Sequence, residues 1–237
     1  MPDRVPIPVV PLAGVKKRLI RGKFLHRPTR FAAVVALPSG EEVWAHLSNP
    51  GRLTGVLSPG CEVLLDGPFP PPRQMTHSML AAKTGRVWVG THTIYANRIF
   101  PTLLAAGLFP EFERGPLAAE VPHGRSRFDF RIGDRFVEVK SVTLAADGRG
   151  AFPDAVSERA SKHAGELAKL ARKGTPASIA FVAQRADVES IGPADDIDPE
   201  FGRALRRAAR AGVTVVACVL ELTPDGARTA RRVPVLL

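Results

Sequence analysis

Asp129, Glu138 and Lys140 are the residues of this 237-residue chain best placed to do chemistry together. They lie in SRFDFRIGDRFVEVKSVTL (Ser126–Leu144), where two runs of alternating apolar residues flank Gly133-Asp134. A Gly-X pair between such runs predicts a two-residue type II′ turn, and so a β-hairpin. With Ile132 set opposite Arg135, Asp129 falls directly opposite Glu138, and Arg127 opposite Lys140. Side chains alternate with period two, so Lys140 shares the face of Glu138. Phe128, Phe130, Ile132, Val137 and Val139 form the other, apolar face and fix the register.

Carboxylates facing each other across a strand pair have Cβ atoms roughly 5 Å apart and repel. A divalent cation between them removes that penalty, and hard oxygen ligands suit Mg²⁺ or Mn²⁺. Lys140 could then orient or activate a water, or neutralise charge on a scissile phosphate. The same residues also fit a hairpin with one solvated, mixed-charge face, its acids paired with Arg127, Arg131 and Lys140.

The elements that must position this face follow from the pattern around it. Hydrophobic content of 45% and charged content of 24% describe a globular chain long enough for one large domain or two small ones. The first dozen residues are Pro-rich, an irregular arm or an added edge segment. Arg30–Leu37, a Pro38-Ser39-Gly40 turn and Glu41–Leu47 predict a hairpin, with further strands at Cys61–Leu65 and Arg86–Gly90. Short strands between Gly/Pro turns over residues 13–90 suit an OB-like barrel. Residues 91–237 change to alternating helices and strands, which predict a mixed-sheet α/β layer. Helices are expected at Ala96–Phe109, broken or started at Pro101, at Ala155–Lys173, capped by Asp154 with Val156 on its apolar face, and at Pro199–Gly212. Core strands are expected at Leu117–Gly124, Ala177–Gln184 and Val213–Leu222, with a short extended tail at Pro234.

With 33 Lys and Arg against 23 Asp and Glu, the net charge is +10 and the pI near 10.4, which favours polyanionic partners. Lys16, Lys17, Arg18, Arg21, Lys23, Arg27 and Arg30 run without an acid among them, with Phe24 and Phe31 interleaved, a pattern suited to nucleic-acid backbone and bases. His46, Asn49 and Arg52 surround a glycine turn. Glu120, one strand before the hairpin, is a candidate third carboxylate or an exposed strand acid. On the long helix, Glu158 and Lys162 make an i,i+4 pair, or else Arg159, Lys162 and His163 lie near a phosphate.

Cys61 and Cys218 are the only cysteines, too sparse for a structural zinc site or a disulfide framework. There is no HExxH, no phosphate loop, no GxGxxG after a strand and no GxSxG elbow, which argues against an NTPase, a Rossmann dehydrogenase or an α/β-hydrolase. The start is broken by prolines and reads as no signal peptide, and no apolar run has bilayer-spanning length. A cytoplasmic chain without a nucleotide cofactor is expected.

SRFDF (Ser126–Phe130), VEVKSVTL (Val137–Leu144) and FPDAVSERASKH (Phe152–His163) together resemble the sugar fermentation stimulation protein family, with ANRI (Ala96–Ile99) and HLSNPGRL (His46–Leu53) where that family has related motifs. The resemblance runs from about Leu19 to the C-terminus. It implies an OB-like domain joined to a PD-(D/E)xK nuclease-like domain, with DNA binding and a divalent-metal centre. Asp129 matches the metal-binding acid, Glu138 and Lys140 the ExK pair, and Glu120 the preceding strand acid. The chain departs from the family at Leu47-Ser48-Asn49-Pro50-Gly51, where a Cys-Pro-Asn-Thr-Gly-like turn is usual, and at Ala160, where a glycine is usual. The expected function is a Mg²⁺- or Mn²⁺-dependent nuclease acting on DNA, held by the basic barrel together with Arg52, Arg127 and Lys162. A non-catalytic DNA-binding regulator with the same fold, and an RNA-binding protein, are the alternatives.

Overall fold

A computed structural model describes residues 4–15, 17–112, 115–124 and 126–237. The Pro-rich start is ordered by pairing. β1 (Val5–Val10) lies antiparallel to the last strand of the chain and forms an edge of the C-terminal sheet, where its prolines need donate nothing inward. Next come β2 (Ile20–Thr29), β3 (Ala32–Ala36), β4 (Glu42–His46), β5 (Glu62–Asp66), β6 (His77–Thr84) and β7 (Val87–Gly90). Their order is β4-β3-β2-β5-β6-β7, and a parallel β4–β6 pairing closes β2 to β6 into a five-stranded OB barrel. β6 carries no turn-bounded apolar alternation strong enough to have been expected as a strand. Phe24, Val35, Val43, Ala45, Leu65 and Met79 fill the barrel, so Phe24 is core and contributes nothing to a stacking surface.

α1 (Ile94–Ala105) contains Pro101 in its interior, where a helix break or start was expected. The missing N–H costs one bond to Asn97. Tyr95, Ile99, Phe100 and Leu103 repay it by burying against the sheet. The helix is followed by β8 (Leu117–His123), β9 (Ser126–Ile132), β10 (Arg135–Val142), β11 (Leu144–Ala146) and β12 (Arg149–Phe152). Next in order are α2 (Glu158–Arg172), β13 (Ala177–Ala183), β14 (Ser190–Pro193), α3 (Pro199–Arg210), β15 (Thr214–Thr223) and β16 (Gly226–Arg232). A seven-stranded mixed sheet runs β1-β16-β15-β13-β10-β9-β8, with β10, β13 and β15 parallel. α1 covers one face; α2 and α3 cover the other. A small sheet, β11-β12-β14, stands beside it.

Leu64, Leu80 and Ala81 of the barrel strands, with Trp88 of β7, join the core beneath α1, so the two domains share one apolar cluster. A polar clasp adds to it. Asp154 accepts the Leu53 N–H at 3.3 Å and fills the space where Gly51 has no side chain; a Cβ at Gly51 would overlap the carboxylate. Asp154 is therefore spent on the barrel, and Ser157 caps α2 instead, accepting the Ala160 N–H at 3.3 Å. Val156 lies before the helix and is 71% exposed, not on its apolar face.

Candidate metal and nucleic-acid site

The hairpin has the expected register: Arg135 pairs with Ile132, Phe136 with Arg131 and Val137 with Phe130, and Gly133 takes the positive φ (+55°) of the turn. The recorded ladder stops there. Asp129 Oδ2 accepts the Val139 N–H at 2.7 Å, a side chain taking a donor that the neighbouring strand would otherwise satisfy. The strands splay at this point. Phe130, Ile132, Val137 and Val139 pack beneath α1, but Phe128 crosses to the α2 layer, against Phe136 and His163. Strict alternation had placed Phe128 with the other four; the bend at Asp129 is the reason it is not.

Asp129 Oδ1 accepts from Asn97 Nδ2 at 2.7 Å, so α1 holds the acid from one side. Burial, then the neighbouring Glu138 charge, push the Asp129 carboxyl up to about 6, against the pull of the Val139 N–H, Lys140 and Asn97. Glu138 is only 3% exposed. Its burial works in the same direction, but the His163 hydrogen bond and the Lys140 charge outweigh it and hold the carboxyl below its ordinary value. Of the two acids, Asp129 is therefore the one that holds its proton to higher pH.

Glu138 Oε1 is engaged twice, by Lys140 Nζ at 2.6 Å and by His163 Nδ1 at 2.6 Å. Because the carboxylate is ionised, Nδ1 carries the proton and donates. Glu138 Oε2 is buried and has no partner. A buried oxygen without a partner stands beside a carboxyl of raised pKa, an arrangement a cation would stabilise. These donors fit a hard divalent ion: one free carboxylate oxygen, a second acid, and nothing soft. Among the described residues, no group of three or more His, Cys, Asp or Glu side chains forms a fuller cage. Glu120 is exposed at a left-handed φ of +55°, and its recorded partner is Arg127 at 2.8 Å.

His163 is the functional candidate that sequence reasoning passed over in favour of an ordinary helix face. Its signal was available: a histidine among Ala160, Ala164 and Leu167 on the buried side of α2. Asn97 could be found only through its place in the ANRI segment. Lys162, on the outer side, stands 3.9 Å from Glu166; that is its recorded ion pair, in place of the one expected with Glu158.

The basic run meets acids that sequence proximity does not show. Lys16 lies outside the described residues. Lys17 pairs with Asp66 and Arg21 with Glu62 (2.6 Å), both acids brought in by β5. Arg27 is structural: its guanidinium donates to the carbonyls of Arg30, Asn49, Gly51 and Arg52 at 2.6–3.0 Å, stapling the turn that meets Asp154. Arg18, Lys23, Arg30 and Arg52 are exposed. Arg30 and Arg52 border the cleft between the domains, where one cavity of about 190 Å³ joins Arg30 and Asn49 to Ser141 and Thr143, just past Lys140.

A closed OB barrel fused to a mixed sheet with an acid pair and lysine at its splayed hairpin defines a protein of the restriction-endonuclease-like fold. The chain belongs to the sugar fermentation stimulation protein family: the model described as "Sugar fermentation stimulation protein RE domain" matches residues 94–226, and that described as "SfsA N-terminal OB domain" matches 25–91. The sugar fermentation stimulation protein homolog of Syntrophotalea carbinolica is 39% identical over 224 residues, covering 92% of this chain and 97% of that one. The homolog of Pseudomonas paraeruginosa is 41% identical over 230 residues, with the same coverage. The structure of Pyrococcus furiosus SfsA in complex with Ca²⁺ superposes with a TM-score of 0.84 at 26% identity, covering 94% of this chain and 98% of that one. No described helix is long and apolar enough to cross a membrane.

Proposed function

We propose that this chain is a Mg²⁺- or Mn²⁺-dependent nuclease that hydrolyses DNA phosphodiesters at the Asp129–Glu138–Lys140 face. The observation that carries the reading is the unpartnered Glu138 Oε2 beside a carboxyl raised to about 6. Ca²⁺ in the Pyrococcus furiosus relative, an ion with the same preference for oxygen donors, supports it.

When bound, a divalent cation polarises a phosphoryl oxygen and makes water a better nucleophile at neutral pH. Asp129 and Glu138 would hold it through Glu138 Oε2 and the Asp129 carboxylate. Asn97 and the Val139 N–H keep Asp129 aimed; His163 and Lys140 keep Glu138 aimed. Lys140 Nζ then offers positive charge to the developing phosphorane and a donor to orient water. Glu120 would join only on release from Arg127. Exposed Arg18, Lys23, Arg30, Arg52, Arg127 and Lys162 would hold phosphates, Arg27 acting through the turn it braces. Lys17 and Arg21 would contribute once their acids are screened.

One observation favours a second reading, a non-catalytic DNA-binding regulator keeping the fold: the strand acid Glu120 is committed to Arg127. Cleavage of single- and double-stranded DNA in Mn²⁺ separates the two. Activity in the wild type that Asp129→Ala abolishes supports the nuclease. Equal activity in both, at matched purity, rules this centre out, and salt-dependent binding that survives loss of the acids supports the regulator.

A further inference from the structure

Two exposed aromatic side chains of the barrel, Trp44 on β4 and Phe31 in the loop between β2 and β3, are candidates for a base-stacking track toward the cleft between the domains. On β4, Val43 and Ala45 point into the barrel, so Trp44 points out, and it is 50% exposed. It sits opposite Val34 of β3, which sits opposite His26 of β2. In OB barrels the outer face of the second and third strands, here β3 and β4, with the loop joining the first two, is where oligonucleotides lie. That loop carries Arg30 and Phe31, and Phe31 is 46% exposed.

Two contacts tie the track to the cleft. The Leu47 N–H donates to the Phe31 carbonyl at 2.9 Å, placing Phe31 where β4 ends. Immediately beyond, Ser48 accepts from the Thr93 hydroxyl at 3.0 Å. Arg30 and Thr93 then line the cavity that also contains Ser141 and Thr143 of the strand segment following Lys140. That cavity adjoins the open groove lined by Arg27, Arg30, Arg52 and Val156, with which it shares Arg30, Pro50 and Gly51.

We infer that this chain takes single-stranded DNA, with bases stacked on Trp44 and Phe31 and the backbone led by Arg30 through the interdomain slot to Lys140. The inference rests on the nuclease reading for what happens at Lys140, but the track binds without it. Aromatic faces accept any base, so binding is sequence-tolerant, and the basic flank makes it salt-dependent.

The test titrates the full chain, in EDTA, into a fluorescein-labelled oligothymidine and a labelled duplex of equal length, following fluorescence anisotropy, with tryptophan quenching as a second readout in the chains that keep Trp44. Trp88 is 9% exposed, so quenching on stacking reports Trp44. The single strand is expected to bind at least about tenfold tighter than the duplex. Trp44→Ala and Phe31→Ala should each lose roughly 5- to 150-fold on the single strand. Duplex affinity should be unchanged in both, and Trp44→Phe should recover most of the loss. Equal affinity for both DNAs, or full single-strand affinity in Trp44→Ala and Phe31→Ala, overturns the track, as does tighter binding of an RNA of the same sequence. Mn²⁺ cleavage assays run alongside separate the two proposals. Stacking-dependent binding without cleavage would leave the track and remove the nuclease; cleavage of duplex without stacking dependence would do the reverse.

Discussion

His163 Nδ1 and Lys140 Nζ converge on the same oxygen of Glu138, each at 2.6 Å, and the histidine approaches from a helix 25 residues further along the chain. The consequence is a division of labour within one carboxylate: Oε1 is anchored, Oε2 is left open. Lys140 alone could not do this, because a flexible ammonium on the same strand fixes no direction. A T-shaped contact between the His163 and Phe128 rings, with centroids 5.7 Å apart, holds the imidazole in place.

With a metal at the proposed site, His163 would be a positioning residue. His163→Ala is expected to weaken Mn²⁺ binding about 10- to 100-fold, the usual cost of losing a group that orients a metal ligand. His163→Gln, which can still donate, should recover part of it. A purely structural histidine would lower thermal stability in both variants and leave Mn²⁺ affinity intact in the fraction that folds.

Asp129 makes the metal-free protein sensitive to pH, with a definite sign. Its folded carboxyl titrates near 6 against an ordinary value of 3.8. The folded state therefore holds the proton longer than the unfolded chain, and stability falls as pH rises from about 4 to about 6. At 1.36 kcal/mol per pKa unit the cost above pH 6 is on the order of 3 kcal/mol. Asp129→Asn should remove it, raising the metal-free Tm at pH 7.5 by roughly 5–10 °C and leaving pH 4 nearly unchanged. Added Mn²⁺ should raise the wild-type Tm far more at pH 7.5 than at pH 5, and the variant's at neither. A Tm for Asp129→Asn no higher than wild type at pH 7.5 would refute the strain assigned to this pair.

The interdomain clasp makes a separable prediction. Gly51→Ala forces a Cβ into the Asp154 carboxylate and should cost roughly 1–3 kcal/mol in denaturant melts. Asp154→Ala opens the space but forfeits the bond to Leu53. The double variant should therefore be more stable than Gly51→Ala alone. Additive losses would show that the two sites do not touch.

Lys140→Met tests the catalytic assignment apart from binding. The methionine keeps the stem and removes the charge. Single-turnover cleavage should fall by at least about 100-fold, in the range seen when one transition-state donor is removed. DNA affinity in EDTA should change less than threefold. Loss of affinity with cleavage per bound complex preserved would make Lys140 a phosphate anchor.

The reasons some features were legible in the sequence and others were not are physical. The nearness of the two acids could be read because a tight turn is local: once Gly133-Asp134 turns, the register runs to Phe130 opposite Val137. Asp129 and Glu138 follow as neighbours at the splay, although among the described residues no pairing of Asp129 with Glu138 or of Arg127 with Lys140 is recorded. Barrel and α/β halves could be read because turn residues punctuate the first and helical periodicity the second. Phe128 could not, since the Asp129 side chain takes the Val139 N–H and breaks the alternation that reading assumed. The basic run looked unopposed because Glu62 and Asp66 are distant in sequence and adjacent only across β2–β5. Asp154 looked like a helix cap until the barrel turn, braced by Arg27, claimed it. Each failure is a tertiary partner overriding a local preference.

The most direct test of the metal centre is calorimetric titration of Mn²⁺ into the wild type, Asp129→Ala and Glu138→Ala at pH 7.5, with and without a DNA oligonucleotide. Stoichiometric binding to the wild type, abolished by either substitution, is the result expected from the open Glu138 oxygen and its strained neighbour. Absence of binding in the wild type even with DNA present, or unchanged binding in both variants, would contradict it.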